Sequence, residues 1–258
     1  MAIQNQQASS LPRSDNEFLA YHRHDGAPDK SGVIWLGGFR SDMEGGKALA
    51  LEEWAKAQDR SFVRFDYFAH GQSSGAWDQG TIGRWREDAV CVIDQLSQGP
   101  QILVGSSMGG WIALLCAQAR PERVKGLTLI APAPDFTETL MWEAMPHHVQ
   151  QAIMTEGYWD QPSPYGGPVR ITKTLIEEGR QWQILDGHIE FSGPVQILQG
   201  WQDPDVPWGH ALRILECVTS QDVRYHLKKT GDHRLSEPDD LARLCDWVAE
   251  NCAQVDAK

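Results

Sequence analysis

Residues 101–115 read QILVGSSMGGWIALL, and this stretch decides the fold. Ile102 to Val104 form an apolar run that predicts a strand, and the residues from Gly109 onwards predict a helix. Gly105 and Gly109 stand two positions before and two positions after Ser107. A serine that projects from so tight a strand-to-helix turn needs small neighbours, and the G-x-S-x-G spacing supplies them. Ser107 is therefore a candidate nucleophile, and a glycine-rich turn without chemistry is the alternative.

The rest of the chain alternates short apolar runs with helix-like segments. Further strands are predicted at 33–36, 62–65, 127–130, 195–198 and 223–228, and helices at about 43–59, 81–98, 109–120, 208–218 and 237–252. The run 18–22 predicts an antiparallel edge strand. Such alternation is typical of an α/β fold whose mostly parallel central sheet carries helices on both faces.

The domain organisation follows from the length and from a gap in this pattern. A chain of 258 residues suits one α/β domain, which we expect to span residues 1–258. Between about residues 134 and 193 the sequence has helical pieces and no strand pattern, which predicts a helical lid inserted into that domain. Residues 1–14 are mostly polar, and we expect them to form a disordered tail.

The composition excludes several classes of partner. The chain has 23 Lys and Arg against 35 Asp and Glu, a net charge of −12, whereas nucleic acids and anionic membranes require a basic face. No run of about 18 apolar residues occurs, so we expect no membrane span. The N-terminus has no apolar leader and a single arginine, Arg13, so we expect a cytoplasmic location. The sequence leaves the oligomeric state open.

A serine nucleophile needs a general base, and His233 is the leading candidate. It follows the last predicted strand, at the same edge of the sheet as Ser107. His226 lies within that strand, where we expect it to be packed or half-exposed. His210, at the start of a helix, is the second-ranked alternative.

The base in turn needs an orienting carboxylate, which lies between the serine and the histidine in this chain order. Asp203 follows the penultimate predicted strand, within reach of His233. Asp205 in the same loop competes with it. Asp232 adjoins the histidine, but its expected role is turn stabilisation.

Two backbone N–H groups are needed to bind an oxyanion. We expect one from Met108, directly after the nucleophile, and the other from Phe39, in the loop after the strand at 33–36. Residues expected to contact substrate are Gly38, Arg40, Trp142, Trp159 and Trp208. Arg40 would bind an anionic part of the substrate, with a surface salt bridge as the alternative. For the lid tryptophans, the alternative role is packing in the core of the lid.

Three other features predict no chemistry. The pair His70-Gly71 resembles an oxyanion-type motif but follows the next strand along the chain, which favours a structural loop. The pair His147-His148 lacks a third ligand at metal-like spacing. The sequence contains neither a P-loop nor a dinucleotide-binding fingerprint. We therefore expect no metal and no organic cofactor.

With these residues in place, the sequence resembles the α/β-hydrolases from about residue 17 to 252. It is similar to one branch in particular, the mitochondrial palmitoyl-protein thioesterases that also act as acyl-glucuronide esterases, with their bacterial relatives. The shared stretches are 47–53, 64–67, 99–111, 206–208 and 232–234. By this resemblance Ser107, Asp203 and His233 fall on the nucleophile, acid and base. The resemblance also implies a mitochondrial location as the alternative.

The sequence thus predicts a serine hydrolase that cleaves carboxylic esters or thioesters through an acyl-serine intermediate. The expected substrate is a small ester, an acyl thioester or an S-acylated protein. A peptidase or a C–C hydrolase on the same fold is one alternative, and a non-enzymatic ligand-binding protein on a hydrolase fold is the other. The presence of all three triad members argues against the latter.

Overall fold

The apolar runs of the sequence, together with the mostly polar segment Ser9–Ser14, form an eight-stranded sheet with the order β1-β2-β4-β3-β5-β6-β9-β10. The structure is a computed structural model and describes residues 7–162 and 167–257. The strands are β1 (Ser9–Ser14), β2 (Glu17–His24), β3 (Gly32–Leu36), β4 (Phe62–Phe65), β5 (Gln101–Ser106), β6 (Val124–Ile130), β7 (Tyr158–Gln161), β8 (Val169–Thr172), β9 (Val195–Gly200) and β10 (Val223–Lys228). β3, β4, β5, β6, β9 and β10 are mutually parallel, whereas β2 is antiparallel to both β1 and β4.

Helices cover both faces of this sheet, as predicted. They are α1 (Gly46–Ala57), α2 (Ile82–Leu96), α3 (Met108–Ala119), α4 (His147–Glu156), α5 (Lys173–Gly179), α6 (Trp208–Cys217) and α7 (Pro238–Asp256). Apolar side chains of α2, α3 and α6 join one core cluster, and those of α1 and α7 join the other. The middle strands are buried throughout, which explains their nearly continuous apolar sequences.

The N-terminal part of the chain differs from the expectation. The prediction of a disordered tail is wrong for Ser9–Ser14, because these residues form β1 and pair with β2, with Leu11 opposite Leu19. The strand predicted at 18–22 is antiparallel as expected, but it is not the edge, since β1 lies outside it. Strand pairing uses backbone groups, so a mostly polar segment can add to a sheet edge. Residues 1–6 of the expected tail lie outside the described residues.

The segment between β6 and β9 adds no strand to the main sheet. It contains α4, α5 and short helical turns at Thr137–Trp142 and Arg180–Trp182. The expectation that it has no strands is wrong, because β7 and β8 form an antiparallel hairpin. These strands have four residues each and carry a surface ion pair between Asp160 and Arg170, so they lack the apolar pattern of a core strand. The segment has its own apolar cluster around Val149, Ile153, Ile171 and Ile176. Its function as a lid stays a prediction.

In the described ranges, no helix combines the length and the apolar composition needed to cross a membrane.

Candidate active site

Ser107 occupies a strained turn between β5 and α3. Its backbone angles are φ 55° and ψ −118°, in a region that residues with a side chain seldom adopt. The turn forms because its flanking glycines allow very close packing. A Cβ at Gly105 would overlap the backbone of Gly109, and a Cβ at Gly109 would overlap the carbonyl oxygen of Leu36. The spacing of the glycines is therefore a steric requirement of the turn.

We predict that Gly109→Ala lowers the free energy of unfolding by about 2–3 kcal/mol, since the added methyl group must displace backbone atoms of the neighbouring strand. Urea unfolding followed by circular dichroism measures this change. The matched control is Gly46→Ala in α1, where an added Cβ meets no atom within 4 Å. The control should be neutral or stabilise the protein by up to about 1 kcal/mol. Equal urea midpoints for the two variants would show that the steric explanation is wrong.

The structure brings together the three side chains predicted as nucleophile, base and acid. Nε2 of His233 lies 3.2 Å from Oγ of Ser107, and Nδ1 of His233 lies 2.8 Å from Oδ2 of Asp203. Each residue follows the carboxyl end of a parallel strand, namely β5, β9 and β10. Because a carboxylate can only accept a hydrogen bond, Nδ1 carries the proton and Nε2 is free to accept one from the serine hydroxyl.

The side chain of Asp203 is completely buried and is surrounded by hydrogen-bond donors. Its Oδ1 accepts hydrogen bonds from the backbone N–H groups of Asp205 and Val206, at 2.9 and 2.8 Å. Its Oδ2 accepts one from Nε2 of Gln199 at 3.1 Å, besides the one from His233. These donors compensate the carboxylate for the loss of water.

Sequence reasoning missed Gln199. The available signal was a polar residue next to the end of a strand that is otherwise buried.

The competing acids have other roles in the structure. Asp205 is exposed, and its contact with Asp203 is made by its backbone. Asp232 accepts hydrogen bonds from the backbone N–H groups of Arg234 and Leu235, which is the turn stabilisation expected for it. Asp203 therefore makes the carboxylate contact with the histidine.

The competing histidines also lie in other surroundings. His226 packs edge-to-face on Trp247, with ring centroids 5.5 Å apart. The Nε2 atom of His210 lies 2.7 Å from the carbonyl oxygen of Pro134, and burial lowers the pKa of this histidine.

One group in the described ranges has the spacing of metal ligands: Asp203, Asp205 and His233, whose ligand atoms lie within 4.8 Å of one another. A cation there would have to replace the hydrogen bond between His233 and Asp203 and those that the amide groups donate to the carboxylate. The donor arrangement therefore fits a hydrogen-bonded acid and base better than a metal site.

The loop after β3 passes beside the nucleophile. A Cβ at Gly38 would lie 3.4 Å from Cβ of Ser107, so the backbone approaches the serine closely at this point. The ring of Phe39 is held edge-on by Trp77 and Phe136, at 5.0 and 5.5 Å between ring centroids. Met108 is the first residue of α3, where backbone N–H groups have no partner within the helix. The loop and the helix start thus flank Ser107 from two sides.

The predicted substrate-contacting side chains lie in three places. Trp142 and Trp159 are half-buried and pack on the apolar cluster of the inserted segment, together with Phe39. Trp208 is exposed and stacks on Trp201, with their rings 5.2 Å apart. Arg40 is exposed at the rim of a cavity of about 440 Å³. Their contact with substrate stays a prediction.

Sequence reasoning did not predict this cavity, whose lining also includes His70, Trp77 and Arg170. Trp77 and Arg170 are far apart in sequence, and the indole N–H of Trp77 donates to the carbonyl oxygen of Arg170 at 2.8 Å. A contact between residues so distant along the chain leaves no local pattern.

Comparison with known proteins agrees with this fold. Residues 35–155 match the family model described as alpha/beta hydrolase fold. The mouse protein named mitochondrial palmitoyl-protein thioesterase ABHD10 is 41% identical over 238 residues, which cover 92% of this chain and 79% of that protein. The chain belongs to the α/β-hydrolase family. Predictions of this fold and of a hydrolase are therefore confirmed.

Two solved structures are also similar to this α/β-hydrolase. A putative hydrolase from Agrobacterium vitis S4 has a TM-score of 0.90 at 40% identity, covering 95% of this chain and 97% of that one. The mouse alpha/beta hydrolase domain-containing protein 10 has a TM-score of 0.88 at 37% identity, covering 97% and 100%.

The name of the curated mouse relative places that protein in the mitochondrion. The cytoplasmic location expected from the sequence is contradicted by this name. Targeting depends on a short leader segment, so the composition of the folded part carries little information about it.

Proposed function

We propose that this hydrolase cleaves carboxylic thioesters and esters through a covalent acyl-serine intermediate on Ser107. The observation that carries the proposal is the continuous hydrogen-bonded chain from Ser107 through His233 to Asp203, with distances of 3.2 and 2.8 Å. This arrangement activates a serine hydroxyl for acyl transfer.

In the first half of the proposed reaction, Nε2 of His233 takes the proton of the Ser107 hydroxyl while Oγ attacks the carbonyl carbon. The resulting oxyanion is bound by the backbone N–H groups of Phe39 and Met108. His233 then gives its proton to the departing thiol or alcohol, and the acyl group stays on the serine.

In the second half, His233 takes a proton from water, which attacks the acyl-serine. The collapse of the second tetrahedral intermediate releases the carboxylic acid and returns the proton to Ser107. Asp203 holds the imidazole in the required tautomer and stabilises its charged form in both halves.

The proposed substrate is a long-chain acyl thioester, such as an S-palmitoylated peptide. The thioesterase name of the mouse relative supports this choice. The apolar and aromatic side chains that the inserted segment places next to Phe39, among them Trp142 and Trp159, provide surroundings suited to an alkyl chain. The triad itself does not select between sulfur and oxygen, because both substrates form the same tetrahedral intermediate.

A side-by-side comparison of kcat/KM tests the proposal. The four substrates are an S-palmitoyl peptide, a short-chain thioester of the same peptide, a short-chain p-nitrophenyl ester and an acyl-glucuronide. We expect the S-palmitoyl peptide to be preferred over a short-chain thioester of the same peptide by about tenfold or more, because each buried methylene contributes about 0.8 kcal/mol. Equal rates for the two chain lengths would refute the long-chain preference, and failure to cleave any of the substrates would refute the hydrolase mechanism.

One observation favours acyl-glucuronides as a second substrate class. The cavity beside the Phe39 loop carries the exposed guanidinium of Arg40, which also lies 5.8 Å from the ring centre of Trp77. The carboxylate of a sugar acid leaving group would find a cation and an aromatic face there. Arg40→Gln should raise KM for the acyl-glucuronide by about tenfold and leave KM for a neutral ester unchanged. Arg243→Gln, at an exposed arginine of α7, is the charge-matched control.

A further inference from the structure

His70 connects the loop after β4 to the loop after β3, which carries Phe39. The histidine is 3% exposed. Its Nδ1 lies 3.0 Å from the carbonyl oxygen of Phe68, and its Nε2 lies 3.2 Å from the backbone nitrogen of Arg40. A carbonyl only accepts and a backbone N–H only donates, so Nδ1 carries the proton and Nε2 is the acceptor. Only the neutral imidazole, in this one tautomer, makes both hydrogen bonds.

The hydrogen bond from Arg40 acts on a strained turn. The N–H of Ser41 donates to the carbonyl oxygen of Gly38 at 3.1 Å, which closes a turn with Phe39 and Arg40 in its centre. Arg40 has a φ of 58°, a left-handed conformation that favours glycine at this position of a turn. Without a hydrogen bond to the N–H of Arg40, relaxation to negative φ would lower the free energy of this backbone. Relaxation would move Phe39, the residue before it.

The loop that holds His70 is tied down by hydrogen bonds to Asp66. Oδ1 of Asp66 accepts a hydrogen bond from the N–H of Met43 at 2.7 Å, and Oδ2 accepts one from Gln72 at 2.8 Å. Gly71 adopts a φ of 45°, where a Cβ would overlap the Asp66 carboxylate. The His70-Gly71 pair therefore sits in a fixed support that contacts the Phe39 loop at two points, Arg40 and Met43.

The surroundings of His70 keep it neutral. Burial lowers its pKa below 6.5, the hydrogen bond to Phe68 opposes this, and the charge of Arg40 lowers the pKa further. The rings of Tyr67, Trp77 and Trp85 pack around the imidazole. Besides Arg40, the charged residues that line the adjoining cavity are Asp42 and Arg170.

We propose that His70 is a positioning residue, which in its neutral form holds the Phe39 amide where the oxyanion develops. This inference rests on the proposed acyl-serine mechanism. The sequence favours a structural role for the His70-Gly71 loop, and the structure places this loop in contact with the backbone of Arg40, next to Phe39. Protonation of Nε2 would point one N–H at another and break the contact, so turnover should fall in acid for a reason independent of His233.

Two variants test this proposal. His70→Phe keeps the aromatic packing and removes the acceptor. We expect it to lower kcat by about 10- to 100-fold with little change in KM, because the oxyanion forms only in the transition state. It should also weaken a boronic acid inhibitor, which forms a tetrahedral adduct on the serine, by a similar factor. His70→Gln can place its side-chain oxygen near the Nε2 position, and we expect it to retain kcat within about threefold of wild type at neutral pH.

The pH profile separates positioning from simple packing. In wild type, protonation of His70 removes the contact with Arg40, so the acid limb of log(kcat/KM) should have a slope greater than one. In His70→Gln the slope should fall to about one. His226→Phe, at a histidine packed on Trp247, is the matched control and should keep the wild-type kcat and profile.

The outcomes distinguish this inference from the mechanism on which it rests. A wild-type kcat in His70→Phe, or an unchanged acid limb in His70→Gln, overturns the role of His70. Activity of the wild-type protein and fluorophosphonate labelling of Ser107 would still uphold the mechanism in that case. Absence of labelling in wild type overturns the mechanism itself. Should His70→Phe not fold, the pH profile of His70→Gln decides.

Discussion

Replacing Ser107 with alanine is expected to lower kcat for the preferred ester or thioester by about 10⁴-fold or more, since no other group can form the acyl intermediate. The variant should retain only the catalysis that comes from substrate binding and from the oxyanion donors. Substrate KM should change little, because the serine hydroxyl contributes mainly to the transition state. Hydrolysis rates, together with labelling by a fluorophosphonate probe, measure both effects.

The matched control for this variant is Ser106→Ala. Ser106 is the neighbouring serine and the last residue of β5, and it is buried. The Ser106→Ala variant should keep probe labelling and most of the activity. The φ of 55° at Ser107 directs the side chain of that residue, not that of Ser106, out of the sheet. Hydrolysis at the wild-type rate by Ser107→Ala would rule out the acyl-serine mechanism. If Ser106→Ala loses labelling and Ser107→Ala keeps it, the nucleophile is Ser106 instead of Ser107.

The positions around Ser107 could be predicted because they depend on local rules. The glycine spacing reflects contacts within a few residues, and the strand–turn–helix pattern surrounds it directly. The meeting of Ser107, Asp203 and His233 could be predicted as well, although they are distant in sequence. Parallel strands present their carboxyl ends at one edge of the sheet, so their order along the chain is sufficient.

Other features depend on contacts that the sequence does not display. β1 is held by backbone pairing to β2, and its burial pattern shows a single buried residue, Leu11. The hairpin of β7 and β8 carries charged side chains and shows no apolar alternation. The hydrogen bond from Arg40 to His70 joins two loops across a separation of 30 residues.

Replacing Asp203 with asparagine is the second change with a large expected effect. Asparagine keeps the size of the side chain and can still accept hydrogen bonds from the N–H groups of Asp205 and Val206. Its amide NH₂ would then face Nδ1 of His233 and force the proton to Nε2, the atom that must accept from Ser107. We expect kcat to fall by about 10³- to 10⁴-fold at neutral pH while the protein stays folded.

Two neighbouring acids provide matched controls for this prediction. Asp205→Asn changes an exposed side chain in the same loop, and Asp232→Asn changes the turn next to His233. Both variants should retain kcat within about threefold, since neither carboxylate contacts the imidazole in the structure. A large loss in Asp205→Asn with activity preserved in Asp203→Asn would transfer the orienting role to Asp205. Comparable losses in all three would instead point to the net charge of the loops, because a specific tautomer requires one carboxylate at Nδ1.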